Sequence, residues 1–102
     1  MKDLNYIFTC TAAPVQAEGT ILGKPFYFRA RHEHWSFAVS ENPGVDPIDI
    51  QTPEQGSAHG FFAEEEYGEE SFAASHMPLE EAERIIGRCA DMYLRMKSGG
   101  EI

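Results

Sequence analysis

The residues best placed to do chemistry are acidic. Glu64-Glu65-Glu66 and Glu69-Glu70 flank Tyr67-Gly68, with Asp46, Asp49 and Glu54 upstream and Glu80, Glu81 and Glu83 downstream. Between Glu41 and Glu83 stand twelve carboxylates and not one Lys or Arg; the eight basic residues lie outside, so the net charge of −9 is a regional feature. Such a field repels nucleic acid and anionic membrane and favours basic proteins, cationic ligands or metal ions. Spaced carboxylates can stand in for the phosphates that dominate DNA affinity for basic proteins, with Phe62, Tyr67 and Phe72 as aromatic points among them. The plainer reading is a solvated face that keeps a small protein in solution. Clustering on one stretch exceeds what solubility requires, which keeps a binding partner in view.

Metal chemistry has weaker support. Asp46-Pro47-Ile48-Asp49 and Glu64-Glu65-Glu66 do not match the alternating ligands, central Gly and terminal Glu of a calcium loop. His32 and His34 straddle Glu33, and spacing of two on a strand would put both imidazoles on one face. A metal would then need a third ligand, His59 or His76, at no recognisable spacing. Cys10 and Cys89 form no zinc pattern and lie in apolar stretches, where thiols are usually inert packing. No Gly-x-Ser-x-Gly, phosphate loop or dinucleotide fingerprint is present, so the chain reads as a non-enzyme without a cofactor. Tyr27, Arg29 and Arg31 share one strand face and are expected to pair with the acidic loop.

Period-two alternation positions most of these groups. Tyr6 to Ala12 reads as a strand, Val15 to Ile21 as a second, and Leu22-Gly23 as a two-residue turn. Phe26, Phe28 and Ala30 alternate with Tyr27, Arg29 and Arg31; after a turn at His32-Glu33, Trp35, Phe37 and Val39 repeat the pattern. Asn42-Pro43-Gly44 breaks the sheet, and Pro47 and Pro53 are expected to keep the segment to Gly56 irregular. His59 to Glu64 reads as a short strand, Tyr67 to Ser71 as an acidic turn, and Phe72-Ala73-Ala74 as a short edge strand. From Pro78, at the first helical position, Leu79, Ala82, Ile86, Cys89, Tyr93 and Met96 recur at spacings of three and four. Gly99-Gly100 stops that helix. The fold class is α+β: an antiparallel, meander-like sheet of four to six strands packed by one C-terminal helix.

At 102 residues the chain fits a single domain, 1–102, able to bury about 60–65% of its unfolded surface. An aromatic content of 12% argues against a disordered acidic tail. No apolar run approaches the roughly 20 residues needed to span a bilayer, and the first residues lack a secretory signal, so a cytoplasmic location is expected.

The block Glu18-Gly19-Thr20-Ile21-Leu22-Gly23-Lys24-Pro25-Phe26-Tyr27-Phe28-Arg29-Ala30-Arg31, with His34-Trp35-Ser36-Phe37-Ala38-Val39 after it, resembles a block of small bacterial and prophage-type proteins of no assigned activity. Together with Tyr6 to Ala13 it covers less than half the chain and implies a shared sheet. In size, acidity and α+β character the chain is similar to anti-CRISPR proteins, phage inhibitors of CRISPR effector complexes. Several of these present acidic surfaces where target DNA would lie. That likeness rests on analogy and transfers no residue.

The expectation is therefore an inhibitor binding a basic nucleic-acid-binding protein, such as a CRISPR effector subunit, without touching nucleic acid or membrane itself. Its binding residues would be Asp46, Asp49, Glu54, Phe62, Glu64, Glu65, Glu66, Tyr67, Glu69 and Glu70. The alternatives are a small-ligand or metal-responsive domain centred on Arg29, Arg31, His32 and His34, or an immunity protein that neutralises a basic toxin.

Overall fold

The alternating segments become five antiparallel strands. The structure, a computed structural model, describes residues 3–12, 14–68 and 73–102. Strands β1 (Leu4–Thr11), β2 (Val15–Ile21), β3 (Lys24–Arg31), β4 (His34–Ser40) and β5 (Gly60–Glu66) form one sheet in sequence order. Helix α1 (Pro53–His59) precedes β5, and helix α2 (Leu79–Ser98) follows it. This is the expected α+β architecture, with five strands among the described residues.

The first face of the sheet is the core. Val15, Ala17, Ile21, Phe26, Phe28, Ala30, Trp35, Phe37, Val39 and Phe61 all point to it and are buried. Their partners on α2 are Ala82, Ile85, Ile86, Cys89, Ala90 and Tyr93, the stripe set by spacings of three and four. Each large side chain removed from water here contributes about 1.5–3 kcal/mol. Helix α2 runs across the sheet from β1 to β5. Near its start Glu83 is close enough to act on Tyr6, whose phenol is raised by burial and then by that charge. Near its end the Tyr93 ring meets Phe61 edge-on at 5.9 Å.

Local chemistry accounts for the connections. Leu22 and Gly23 both have positive φ, +51° and +78°, the primed turn that matches strand twist. Leu has no local hydrogen bond to offset the left-handed conformation, which costs roughly 1–2 kcal/mol. His32 makes the second turn with φ +58°. Beyond it, the Tyr67 N–H donates to the Glu33 carbonyl at 2.7 Å and the Ala74 N–H to the His32 carbonyl at 2.9 Å.

Four local expectations are corrected. The segment Pro47 to Gly56 is not irregular: it holds a 3-10 turn, Pro47–Asp49, and most of α1. His59 ends α1, so the strand begins at Gly60 and continues to Glu66. Ala74 lies in a second 3-10 turn, Ala74–His76, instead of an edge strand, while Phe72 is outside the described residues. Pro78 occupies the cap position, one residue before the helix.

Candidate interaction surface

Strand β5 is an edge of the sheet, and it carries the densest acidic run. Charged residues on an edge strand also discourage edge-to-edge pairing, the plainer role for this run. Side chains alternate along a strand, so the three glutamates cannot share one face. Glu65 pairs across from Trp35 and belongs to the helix side. Glu64 and Glu66 pair across from Ser36 and His34 on the second face. All three are exposed. Glu65 reaches Arg88 of α2 at 3.9 Å, with both side chains at least half exposed, too long and too wet to neutralise it. Arg88 also sits 5.9 Å over the Trp35 ring. Among the described residues, no ion pair joins Glu64 or Glu66 to a cation.

The other predicted residues gather partly around this edge. Asp46 caps the first 3-10 turn, its Oδ1 accepting from the Ile48 N–H at 2.9 Å, and Asp49 lies exposed within that turn. Glu54 is in the first turn of α1, beside β5. Gly56 lies so close to Phe62 that an added Cβ would stand 2.6 Å from the Phe62 Cβ, fixing α1 on the strand. Phe62 and Tyr67 are half-buried. Glu81 is tied to Arg84 one turn later on α2. Glu69 and Glu70 lie outside the described residues. The surface is thus split: Glu64, Glu66 and Asp49 lie on the second face, and Glu65 on the helix side.

The cationic strand behaves differently from expectation. Arg29 and Arg31 share the second face with Glu64 and Glu66, yet neither makes an ion pair with the acidic segment among the described residues. Arg29 stands beside Tyr27, whose phenol burial raises and the guanidinium partly lowers again, leaving it above its ordinary value. The 3-10 turn folds over this face, burying Ile50 and Ala38. His32 sits in the turn and His34 starts β4, so the pair are not alternate residues of one strand. Among the described residues no three His, Cys, Asp or Glu side chains converge as a metal site.

A second charged cluster joins residues far apart in the sequence. The half-buried Glu41 carboxylate, just past β4, accepts from the Tyr93 hydroxyl and from the Lys97 ammonium of α2. Burial alone would raise the Glu41 carboxyl, but the hydrogen bonds from Lys97 and Tyr93 and the lysine charges outweigh it and hold it below its ordinary 4.5. The folded state therefore binds this proton more weakly than the unfolded chain. The stabilisation is present above about pH 4.5 and is lost as pH falls through the lowered folded value. Glu41→Gln is expected to melt below wild type at neutral pH, with the gap closing on acidification. Parallel melting curves across that range would remove Glu41 from the acid response.

Beside this cluster, a cleft of about 730 Å³ lies between α1 and the end of α2, lined by Phe62, Met92, Met96 and His59. The His59 Nδ1 is buried with no hydrogen-bond partner among the described residues. The Cys89 thiol, buried in the core, is pushed up to about 12, which makes it a poor nucleophile at neutral pH. Cys10 is half-buried, after a bulge that sets it opposite Gln16.

Among the described residues no helix is long and apolar enough to cross a membrane. No protein-family model, curated protein or solved structure matches the chain.

Proposed function

We propose that this protein is a non-catalytic inhibitor that places an acidic surface on the basic nucleic-acid-binding site of another protein. Its most concrete form is an anti-CRISPR protein, acting as a DNA mimic in the cytoplasm to block target recognition by a CRISPR surveillance complex. The observation that carries the reading is the edge strand β5, with three consecutive exposed glutamates whose one ion pair among the described residues, Glu65 with Arg88 at 3.9 Å, is long and solvent-exposed. Carboxylates without a close, buried ion pair, beside arginines that do not pair with them among the described residues, do little for the fold and remain available to a partner. Phe62 and Tyr67, half-buried at the two ends of the run, would supply apolar anchors that charge lacks. Steering by the acidic field would speed encounter and make binding weaken with salt.

The test is affinity capture from bacterial lysate at low and high salt, with added duplex DNA as competitor. The expected result is a nucleic-acid-binding protein held at low salt, released at high salt and displaced by DNA. Capture of a basic toxin that DNA does not displace would move the reading to an immunity protein. Capture that ignores both salt and DNA would sink the mimic.

A further inference from the structure

We infer that the second face of the sheet holds a binding site for a small zwitterion, an α-amino acid with an apolar side chain. The site follows from the register of three strands. Arg29 pairs with Ser36, and Ser36 with Glu64; in the neighbouring row, Tyr27 pairs with Ala38, and Ala38 with Phe62. Strand β4 thus presents small residues between large ones on both sides, and the flanking strands lie about 10 Å apart. The result is a trough with a cationic wall, a floor of Ser36 and Ala38, and an anionic wall. Ile48, Ile50 and Gln51 border it on a further side, leaving a cleft of about 220 Å³. Ala38 and Ile50 are 2% and 3% exposed, packed under the turn, so the open part of the trough lies over Ser36 between Arg29 and Glu64.

Charge selects the ligand. No ion pair joins Arg29 to Glu64 across the floor among the described residues. An anion alone would sit against the Glu64 carboxylate, and a cation alone against the Arg29 guanidinium. A zwitterion satisfies both: its carboxylate takes the guanidinium fork, and its ammonium donates to Glu64. Ser36 and Gln51 supply further hydrogen-bonding groups. The ligand's apolar side chain would lie along Ile48 and Phe62, the apolar lining residues left accessible. The volume is below the usual range of ligand cavities, which suits a ligand as small as an amino acid.

This site stands apart from the partner-binding reading, although Glu64 serves both, so its variants are placed at Arg29 and Ser36. The experiment is thermal unfolding of the full chain with each free amino acid, beside the N-acetylated and amidated forms. A free apolar amino acid is expected to raise the melting temperature by roughly 6–11 °C at ten times its Kd. The acetylated form lacks the ammonium and the amide lacks the carboxylate; each is expected to bind at least tenfold more weakly. Arg29→Gln should lose at least tenfold in affinity, and Ser36→Leu, which fills the trough and keeps both charges, should abolish the shift. If Ser36→Leu does not fold, the blocked ligands and Arg29→Gln make the same comparison. No rise with any free amino acid up to millimolar concentration overturns the proposal, as does an equal rise with the blocked forms.

Discussion

Reversing Glu64, Glu65 and Glu66 together to Lys is expected to cost roughly 100-fold or more in affinity for the basic partner, with the fold left intact. Each reversal changes the net charge by two, taking it from −9 to −3. Against a basic site the loss has two parts: attraction disappears, and like charges meet, which costs several kcal/mol. The fold should tolerate the change because the three side chains are exposed and, among the described residues, only Glu65 touches a cation, at 3.9 Å. Exposed substitutions of this kind usually move stability by no more than about 0.5 kcal/mol each. Strand β5 is held by Phe61 in the core and by its pairing with β4, neither of which the reversals touch. Titration of the captured partner at low salt, with a melting curve of each protein, measures both halves of the expectation. Wild-type affinity in the triple variant would reduce these glutamates to edge-strand protection, their plainer role.

The sheet was legible in the sequence because its cause is local. Phe26, Phe28 and Ala30 on one strand and Trp35, Phe37 and Val39 on the next declare a buried face residue by residue, and the helix stripe does the same. Helix α1 is hidden in the sequence because Pro47 and Pro53 read as breakers. Yet Thr52-Pro53-Glu54-Gln55 carries both a capping residue and the proline suited to a first helical turn. The Gln55 N–H indeed donates to the Thr52 hydroxyl at 3.1 Å. The acidic surface was half legible: the sequence places its carboxylates, but Glu64 and Glu65 are neighbours in the chain and face opposite ways on a strand. The trough is legible only in part: the sequence brings Arg29 and His34 together as a small-ligand centre, but Ser36 and Glu64 join them only through the register of three strands. Glu41 and Lys97, 56 positions apart, met for the same kind of reason. A pair of that separation needs the helix to be docked before it exists.

The strand that carries the acidic run depends on one close approach, and the same small substitution at two glycines should act with opposite signs. A Cβ built on Gly60 would stand 2.0 Å from the Val39 carbonyl oxygen and 2.9 Å from the Glu41 N–H nitrogen. Both are backbone atoms of the neighbouring strand and its exit, so no side-chain rotation relieves the clash. Relief requires opening the Ser40–Gly60 pair or the hydrogen bond from the Glu41 N–H to the His59 carbonyl at 2.8 Å. Either movement disturbs Phe61, the next residue and part of the core. Gly60→Ala is therefore expected to cost about 3 kcal/mol, the upper end of overpacking, and to lower the melting temperature by roughly 12–24 °C. Gly87, midway along α2, has no atom within 4 Å of a built Cβ, and its helical backbone is one that alanine prefers. Gly87→Ala should stabilise by about 0.5–1 kcal/mol and raise the melting temperature by roughly 2–8 °C. Melting curves of the two variants beside wild type decide the matter. A Gly60→Ala protein as stable as wild type would mean that β5 does not start against Val39, and the edge that displays Glu64 to Glu66 would have to be drawn elsewhere.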